Sequence, residues 1–204
     1  MRMVSSHRMP RGANPKAKER PARLDAQAWI AAAFDALAAG GIDALRVEPL
    51  AKALDITKGS FYWHFADRRA LIDAMLTSWA AGRIAAIRAQ ALDRGAPAAV
   101  LRALVDLYTH RANTRGLAIE LAIRSLARSD GEAARAVRSV DRERLRQVAE
   151  LFGGMGWGAA DAQARAILFY STLFGQSLLD PQVVPAAARD DAIGALIAAA
   201  PGVA

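Results

Sequence analysis

The sequence predicts an all-α protein of about nine helices, in which an N-terminal three-helix head with a helix-turn-helix is joined to a larger helical domain. Three observations predict this class. Alanine dominates a chain that is 53% hydrophobic, and β-branched residues are sparse, a balance that favours helix. Apolar residues recur at helical spacing in one segment after another. Glycine, proline and capping side chains fall where those segments end.

The first element is a helix from Leu24 to Ala39, with Trp29, Ile30, Ala33, Phe34 and Leu37 on one face. Gly40-Gly41 ends it as a C-cap. Val47, Leu50, Ala51 and Leu54 give a short amphipathic helix, and Pro49 suits its first turn, where a missing N–H costs little. Asp55-Ile56-Thr57 breaks the pattern. Asp55 stands where such a turn usually has glycine, and aspartate tolerates left-handed φ/ψ. Thr57 is placed to cap the next helix, ~57 to 64, through its hydroxyl, and Gly59 near its start would let backbone approach DNA closely. Helix, tight turn and helix form a helix-turn-helix. Asp67 is the N-cap of a fourth helix, Arg68 to about Leu92.

The run Thr57-Lys58-Gly59-Ser60-Phe61-Tyr62-Trp63-His64-Phe65 carries the most information. Only Phe61 and Phe65, spaced i and i+4, suit a core. The rest is a dense polar-aromatic face, a poor core element but a good candidate for a DNA major groove. Lys58 at the helix start suits a base edge or a phosphate. Ser60 serves equally as a capping hydroxyl or a groove contact. Tyr62 should face outward, because the inward stripe is already occupied. Arg46, ahead of the first helix of the motif, could reach a phosphate.

With the following Asp67-Arg68-Arg69-Ala70-Leu71, this run resembles the DNA-binding head of the TetR/AcrR family of bacterial repressors. The specific likeness lies in Gly41 to Leu76, and the wider one covers residues ~24 to 76. The resemblance implies phosphate contacts from Tyr62 and His64, a base or sugar contact from Trp63, and a backbone clamp from Arg68 through a bidentate fork. It also implies dimerisation through the last two long helices, and an effector that changes the spacing of the two heads. Glu48 and Pro49 stand where the family is often basic or polar, and Ala66 where lysine is common. These departures weaken phosphate attraction; the arginine-rich flanks or the tail are expected to compensate.

Charge placement supports three regions. Residues 1–23 carry a net +6 and three prolines with almost no periodicity, as expected of a disordered tail. That tail is either a solubilising extension or misassigned start, or a basic arm adding phosphate or minor-groove contacts. Residues 24–70, the DNA-binding domain, carry a net −1, and residues 71–204, the effector-binding and dimerisation domain, a net +2. There is no cysteine, which excludes disulfides and thiolate metal sites. The longest uncharged stretches, Ala166 to Leu179 and Ala192 to Ala204, fall short of the ~20 residues of a membrane span. No apolar signal region follows the first basic residues, so a cytoplasmic location is expected.

Beyond residue 76 the breaks are Asp93-Arg94-Gly95-Ala96-Pro97, Asn113-Thr114-Arg115-Gly116, Ser129-Asp130-Gly131, Gly153 to Gly158 and Asp180 to Pro185. Between them lie helices from Pro97, over Leu117 to Arg128, Glu132 to Phe152, Ala160 to Leu179 and Ala186 to Ala200. The 160–179 segment is apolar nearly all round, with small residues Ala164, Ser171 and Gly175, and should be buried on two sides. A central core helix is one reading. The preferred one is a dimer interface shared with the last helix, carried by Ile167, Phe169, Tyr170, Leu173, Phe174, Leu178, Ile193 and Leu196. Two linked heads could then read half-sites ~34–36 Å apart.

A small apolar effector would occupy a cavity between helices. Candidate lining residues are Trp79, Tyr108, His110, Glu120, Arg124, Phe152 and Trp157, although ordinary packing explains each of them as well. Glu120 and Arg124, i and i+4, most simply form a salt bridge. No nucleophile-base pair, phosphate loop or metal-ligand cluster is legible, so neither catalysis nor a cofactor or metal is expected. The expected function is a dimeric regulator, most simply a repressor, on double-stranded palindromic operator DNA. The alternative is a small-molecule-binding or interaction protein with a vestigial head.

Overall fold

A computed structural model describes residues 25–91, 95–109, 114–175, 179–180 and 182–198. The described residues form nine α-helices, one 3-10 turn and no strand. The basic tail, His110, Leu178 and the last six residues lie outside them.

The head is α1 (Ala26–Gly40), the 3-10 turn Ile42–Ala44, α2 (Val47–Ala53) and α3 (Lys58–Phe61). Asp25 caps α1, accepting from the Ala28 N–H at 3.0 Å. Gly41 ends it at φ 67°, its N–H donating to the Leu37 carbonyl at 2.9 Å. Only a residue without Cβ takes that conformation freely. Asp55 occupies the left-handed region at φ 54°, as the turn requires of a chain with no glycine there.

The helix expected over ~57 to 64 is shorter than its spacing predicts. α3 ends at Phe61, and residues 62–64 continue as turns, with the N–H of Trp63 on the Ser60 carbonyl and that of His64 on the Phe61 carbonyl. Thr57 holds the N-cap position, but no side-chain hydrogen bond closes the cap; its carbonyl accepts from the Ser60 N–H at 3.0 Å instead. Asp67 does cap the next helix, accepting from Ala70 N–H at 2.8 Å.

The larger domain comprises α4 (Arg68–Ala91), α5 (Pro97–Thr109), α6 (Thr114–Leu126), α7 (Gly131–Gly154), α8 (Ala159–Gly175) and α9 (Ala186–Ala198). Two boundaries differ from the sequence reading. Thr114-Arg115-Gly116 is the first turn of α6 rather than a break, and Arg115 ties that turn to Asp35 of α1 at 2.7 Å. Gly153 and Gly154 stay helical; of the glycine run only Gly156, at φ 95°, makes the reversal.

Two apolar clusters hold the fold. One joins Trp29, Leu37, Leu50 and Phe61 of the head to Met75 and Trp79 of α4, Ile123 of α6 and Val140 of α7. The other joins Leu101 and Leu104 of α5 to Phe152, Phe169, Leu173 and Ile193 of α7, α8 and α9. Over Arg68–Gln90, α4 is long and apolar enough by composition to cross a membrane. Here it packs against α1 and α7.

Candidate functional site

The recognition segment is held from beneath by two phenylalanines. Phe61 is fully buried, its ring edge-on to Trp29 of α1 at 5.2 Å and 79°. Phe65 is buried beside it, the two rings 5.5 Å apart. With that stripe turned inward, the next residues must turn outward: Tyr62 is 55% exposed, Trp63 77%, and His64 is exposed as well. Thr57, Lys58 and Gly59 are exposed at the helix start, and Ser60 is half-buried. Arg46, exposed, precedes α2 at its N-cap. The fold thus brings Arg46, Thr57, Lys58, Gly59, Tyr62, Trp63 and His64 to the exposed surface of the head, with Ser60 partly withdrawn.

Arg68 is the exception. Its guanidinium turns back into the head, Nε donating to the Leu45 carbonyl at 2.5 Å and Nη2 to the Ile42 carbonyl at 2.6 Å. These carbonyls flank the 3-10 turn, that of Ile42 also accepting from the Leu45 N–H at 3.2 Å, so the fork expected to clamp a DNA backbone is engaged in holding the entry to α2.

Lys58 also has a partner inside the protein. Its Nζ donates to Oε1 of Glu48 on α2, and both side chains remain largely exposed. That bond, with the attraction of opposite charges, raises the Lys58 pKa and lowers that of Glu48.

In the larger domain the structure opens a cavity of about 330 Å³ lined by Arg124, Asp141, Arg144, Leu145, Tyr170, Phe174 and two α8 residues, Ile167 and Ser171. Its charged lining belongs to an ionic cluster centred on the buried Glu120 and Arg144. Arg144 meets Glu120 through two bonds of 2.8 Å. Arg124 donates Nε to Glu120 at 2.8 Å and Nη1 to Asp141 at 3.0 Å. The expected Glu120–Arg124 pair is therefore present within a larger network. Aromatic rings surround it: Arg124 lies 4.6 Å from the Phe174 centroid, and Arg144 lies 5.3 Å from Phe174 and 5.8 Å from both Tyr108 and Tyr170. Burial, above all, pushes the Tyr170 phenol up and keeps it neutral.

Of the candidate pocket residues, Tyr108, Glu120 and Arg124 gather at this cluster. Trp79 and Phe152 do not: each is buried in an apolar cluster, Trp79 with the head and Phe152 against Phe169. Trp157 lies half-buried under Arg165, whose guanidinium carbon is 3.4 Å from its ring centroid. His110 lies outside the described residues.

Asp141, Arg144, Leu145 and Ser171 were not among the residues expected from sequence at the cavity or the interface. For Arg144 there was a signal: it falls in the stripe of Val140 and Val148, where an arginine interrupts an apolar face.

The α8 expectation divides by face. Phe169, Tyr170 and Leu173, with Ile193 of α9, are buried within the protomer, and Phe174 and Leu196 are half-buried. A 3.6-residue period puts Ala162, Ala166, Phe169, Tyr170 and Leu173 on one side, and that side packs on α7. The exposed side carries Ala164, Ile167, Leu168 and Ser171, with Ile167 48% and Leu168 55% exposed. Phe169, Tyr170, Leu173 and Ile193 are thus protomer core rather than outward interface. Within the protomer α8 is buried on this one side.

A three-helix head that turns a polar-aromatic segment outward, packed through a shared apolar interior on a larger helical body with a cavity, defines a helix-turn-helix protein. Residues 30–75 match the family model of bacterial regulatory proteins, tetR family. The likeness to that family lies in the head. It is 43% identical over 54 residues to the tetracycline repressor protein class D of Escherichia coli, and likewise to class H of Photobacterium damsela subsp. piscicida. The match spans 26% of this chain and only 25% of either relative. The fold is shared much further. A transcriptional regulator from Rhodococcus sp. Rha1 superposes with a TM-score of 0.72 at 21% identity, over 85% of this chain and 94% of that one. FadR of Bacillus subtilis, solved in complex with stearoyl-CoA, superposes with a TM-score of 0.62 at 13% identity, over 84% and 97%.

Proposed function

We propose that this chain is a sequence-specific transcriptional regulator of the cytoplasm, a repressor that binds a palindromic operator as a homodimer and is released by a small-molecule effector. One observation carries the reading: Phe61 and Phe65 are sunk in the core while Tyr62, Trp63 and His64 stand exposed beside them. Exposed aromatic and imidazole side chains on a recognition segment suit phosphate, sugar and base contacts. The exposed apolar stripe of α8 suits a second copy of the chain, since a contiguous apolar patch marks an interaction surface. Paired heads then meet successive turns of the major groove.

The cavity beside Arg124, Asp141 and Arg144 suits the effector. Its lining is mixed: Tyr170, Phe174, Leu145 and Ile167 stand beside the charged Arg124, Asp141 and Arg144. The fitting ligand has a flat or apolar body and a polar group, which narrows the small apolar effector expected from sequence. Such a ligand releases DNA only if it favours the non-binding arrangement, because equal affinity for both states shifts nothing.

The test is fluorescence anisotropy of the full chain against DNA from upstream of its own gene, with a scrambled duplex as control, across a salt series. The reading expects binding that exceeds the control by about 1,000-fold and weakens with salt. Equal binding to both duplexes, unchanged by deleting residues 1–23, or no binding to either, would overturn it in favour of a small-molecule-binding or interaction protein.

A further inference from the structure

The Glu48–Lys58 pair has the chemistry of a base-pair reader rather than of a phosphate contact. Lys58 is the first residue of α3 and Glu48 lies in the first turn of α2. Their bond links the two helices of the motif at its exposed surface. Arg46 and Tyr62 are close enough for their electrostatic influence to reach Glu48 and Lys58 respectively. An ammonium tied to a carboxylate presents no net charge, so it adds little to the attraction for the phosphate chain.

Its hydrogen-bonding capacity is far from spent. An ammonium has three N–H donors, and one goes to Glu48. A carboxylate has about four lone-pair sites, so the bonds from Lys58 and from its own backbone N–H leave acceptor capacity. The pair therefore sets two donors beside an acceptor.

A G·C pair presents the complement in the major groove: guanine N7 and O6 accept, and cytosine N4 donates. An A·T pair matches less well. Adenine gives one acceptor and one donor, and thymine sets O4 and a methyl group beside them, leaving one lysine N–H unmatched and an oxygen against the carboxylate.

We propose that Glu48 and Lys58 act as one specificity-determining unit that reads a single G·C pair in each half-site, Lys58 on guanine and Glu48 on cytosine N4. This rests on the DNA-binding reading above and adds to it a positive role for a carboxylate at the DNA-facing surface. Glu48 thereby holds Lys58 back from phosphates, so that its charge is used on a base rather than on any duplex.

The experiment is selection from a random duplex library with the full-length wild type, Glu48→Ala and Lys58→Ala, followed by anisotropy of each protein on the selected and scrambled duplexes against salt. Thermal melts serve as the folding control, and both side chains are exposed enough that the melts should not move. The wild type should enrich one invariant G·C pair per half-site. Glu48→Ala should lose about tenfold of the discrimination at that pair. It should also bind scrambled DNA more tightly, with a salt slope steeper by about one per head, because Lys58 is released to phosphates. Lys58→Ala should lose the same base-pair preference and leave the salt slope unchanged. If Glu48→Ala selects the wild-type sequence with the wild-type slope, the proposal is overturned while DNA binding stands. If the wild type enriches nothing, the DNA-binding reading fails, and this one with it.

Discussion

The guanidinium of Arg144 and the carboxylate of Glu120, each only 1% exposed, face each other fork to fork, Nη1 to Oε1 and Nη2 to Oε2, both at 2.8 Å. The pair joins α7 to α6. Breaking such a pair from one side leaves a buried, unmatched charge and costs about 3–5 kcal/mol, whereas replacing both partners by apolar groups is near neutral. Glu120→Leu or Arg144→Met alone should therefore unfold at markedly lower urea, and the double variant should recover most of the loss.

The same pair sets an acid limit. Burial alone would raise the Glu120 pKa, but the bond from Arg144 and the charges of Arg144, Arg124 and Arg83 bring it below its ordinary 4.5. A lowered folded-state pKa means the stabilisation is complete above the unfolded value and is lost as pH falls through the folded one. Urea midpoints measured from pH 7 down to 3 should fall for the wild type below about pH 4.5. In Glu120→Gln this component of the fall should be missing, from a lower starting stability.

Arg68 should behave as a structural residue. Since its donors hold the Leu45 and Ile42 carbonyls, Arg68→Met should cost the head about 2 kcal/mol, the usual range for hydrogen bonds to a charged group. The salt dependence of DNA binding should stay unchanged at temperatures where the variant is folded. A salt slope lowered by about one, with unaltered stability, would instead mark a phosphate contact.

Phe61 and Tyr62 are adjacent and should separate cleanly. Phe61→Ala empties a fully buried site beneath Trp29 and should cost about 3–5 kcal/mol. Tyr62→Ala removes a largely exposed ring and should change stability by no more than about 0.5 kcal/mol, while lowering DNA affinity. Paired thermal melts and DNA titrations distinguish the two.

Leu168→Glu places a charge in the exposed α8 stripe. Sedimentation equilibrium should find a dimer for the wild type and a monomer for the variant, with unaltered helical circular dichroism. A wild-type monomer at micromolar concentration would remove the homodimer from the proposed function.

The head was largely legible because its chemistry is local. Gly41, Asp55, Phe61 and Asp67 each do at their own position what their residue type predicts, and the inward pair Phe61 and Phe65 is set by spacing alone. Two local details failed, the Thr57 hydroxyl cap and the length of α3; the rest was long-range, since nothing in the sequence says that Arg68 reaches back to Ile42 and Leu45, or that Lys58 meets Glu48 across the turn. The larger domain was legible as helices but less so as faces. In α8 both faces are apolar, so hydrophobicity could not separate Phe169, which packs inward, from Leu168, which does not. The Glu120–Arg144 pair is 24 residues apart, beyond any helical periodicity.

Trp29 of α1, Met75 of α4 and Ile123 of α6 share one apolar interior, and that continuity bears on how such a protein can be rebuilt. A transplant that joins α1 to α3 onto a foreign body would carry half an interior, exposing Trp29 and Leu37 and leaving Ile123 and Val140 uncovered. Exchange of binding specificity by grafting therefore has to take α4 along, and to match the α6 residues that close over α1, among them the Arg115 that meets Asp35. Resurfacing residues 58–64 in place avoids the difficulty altogether, because Lys58, Tyr62 and Trp63 lie outside that shared interior.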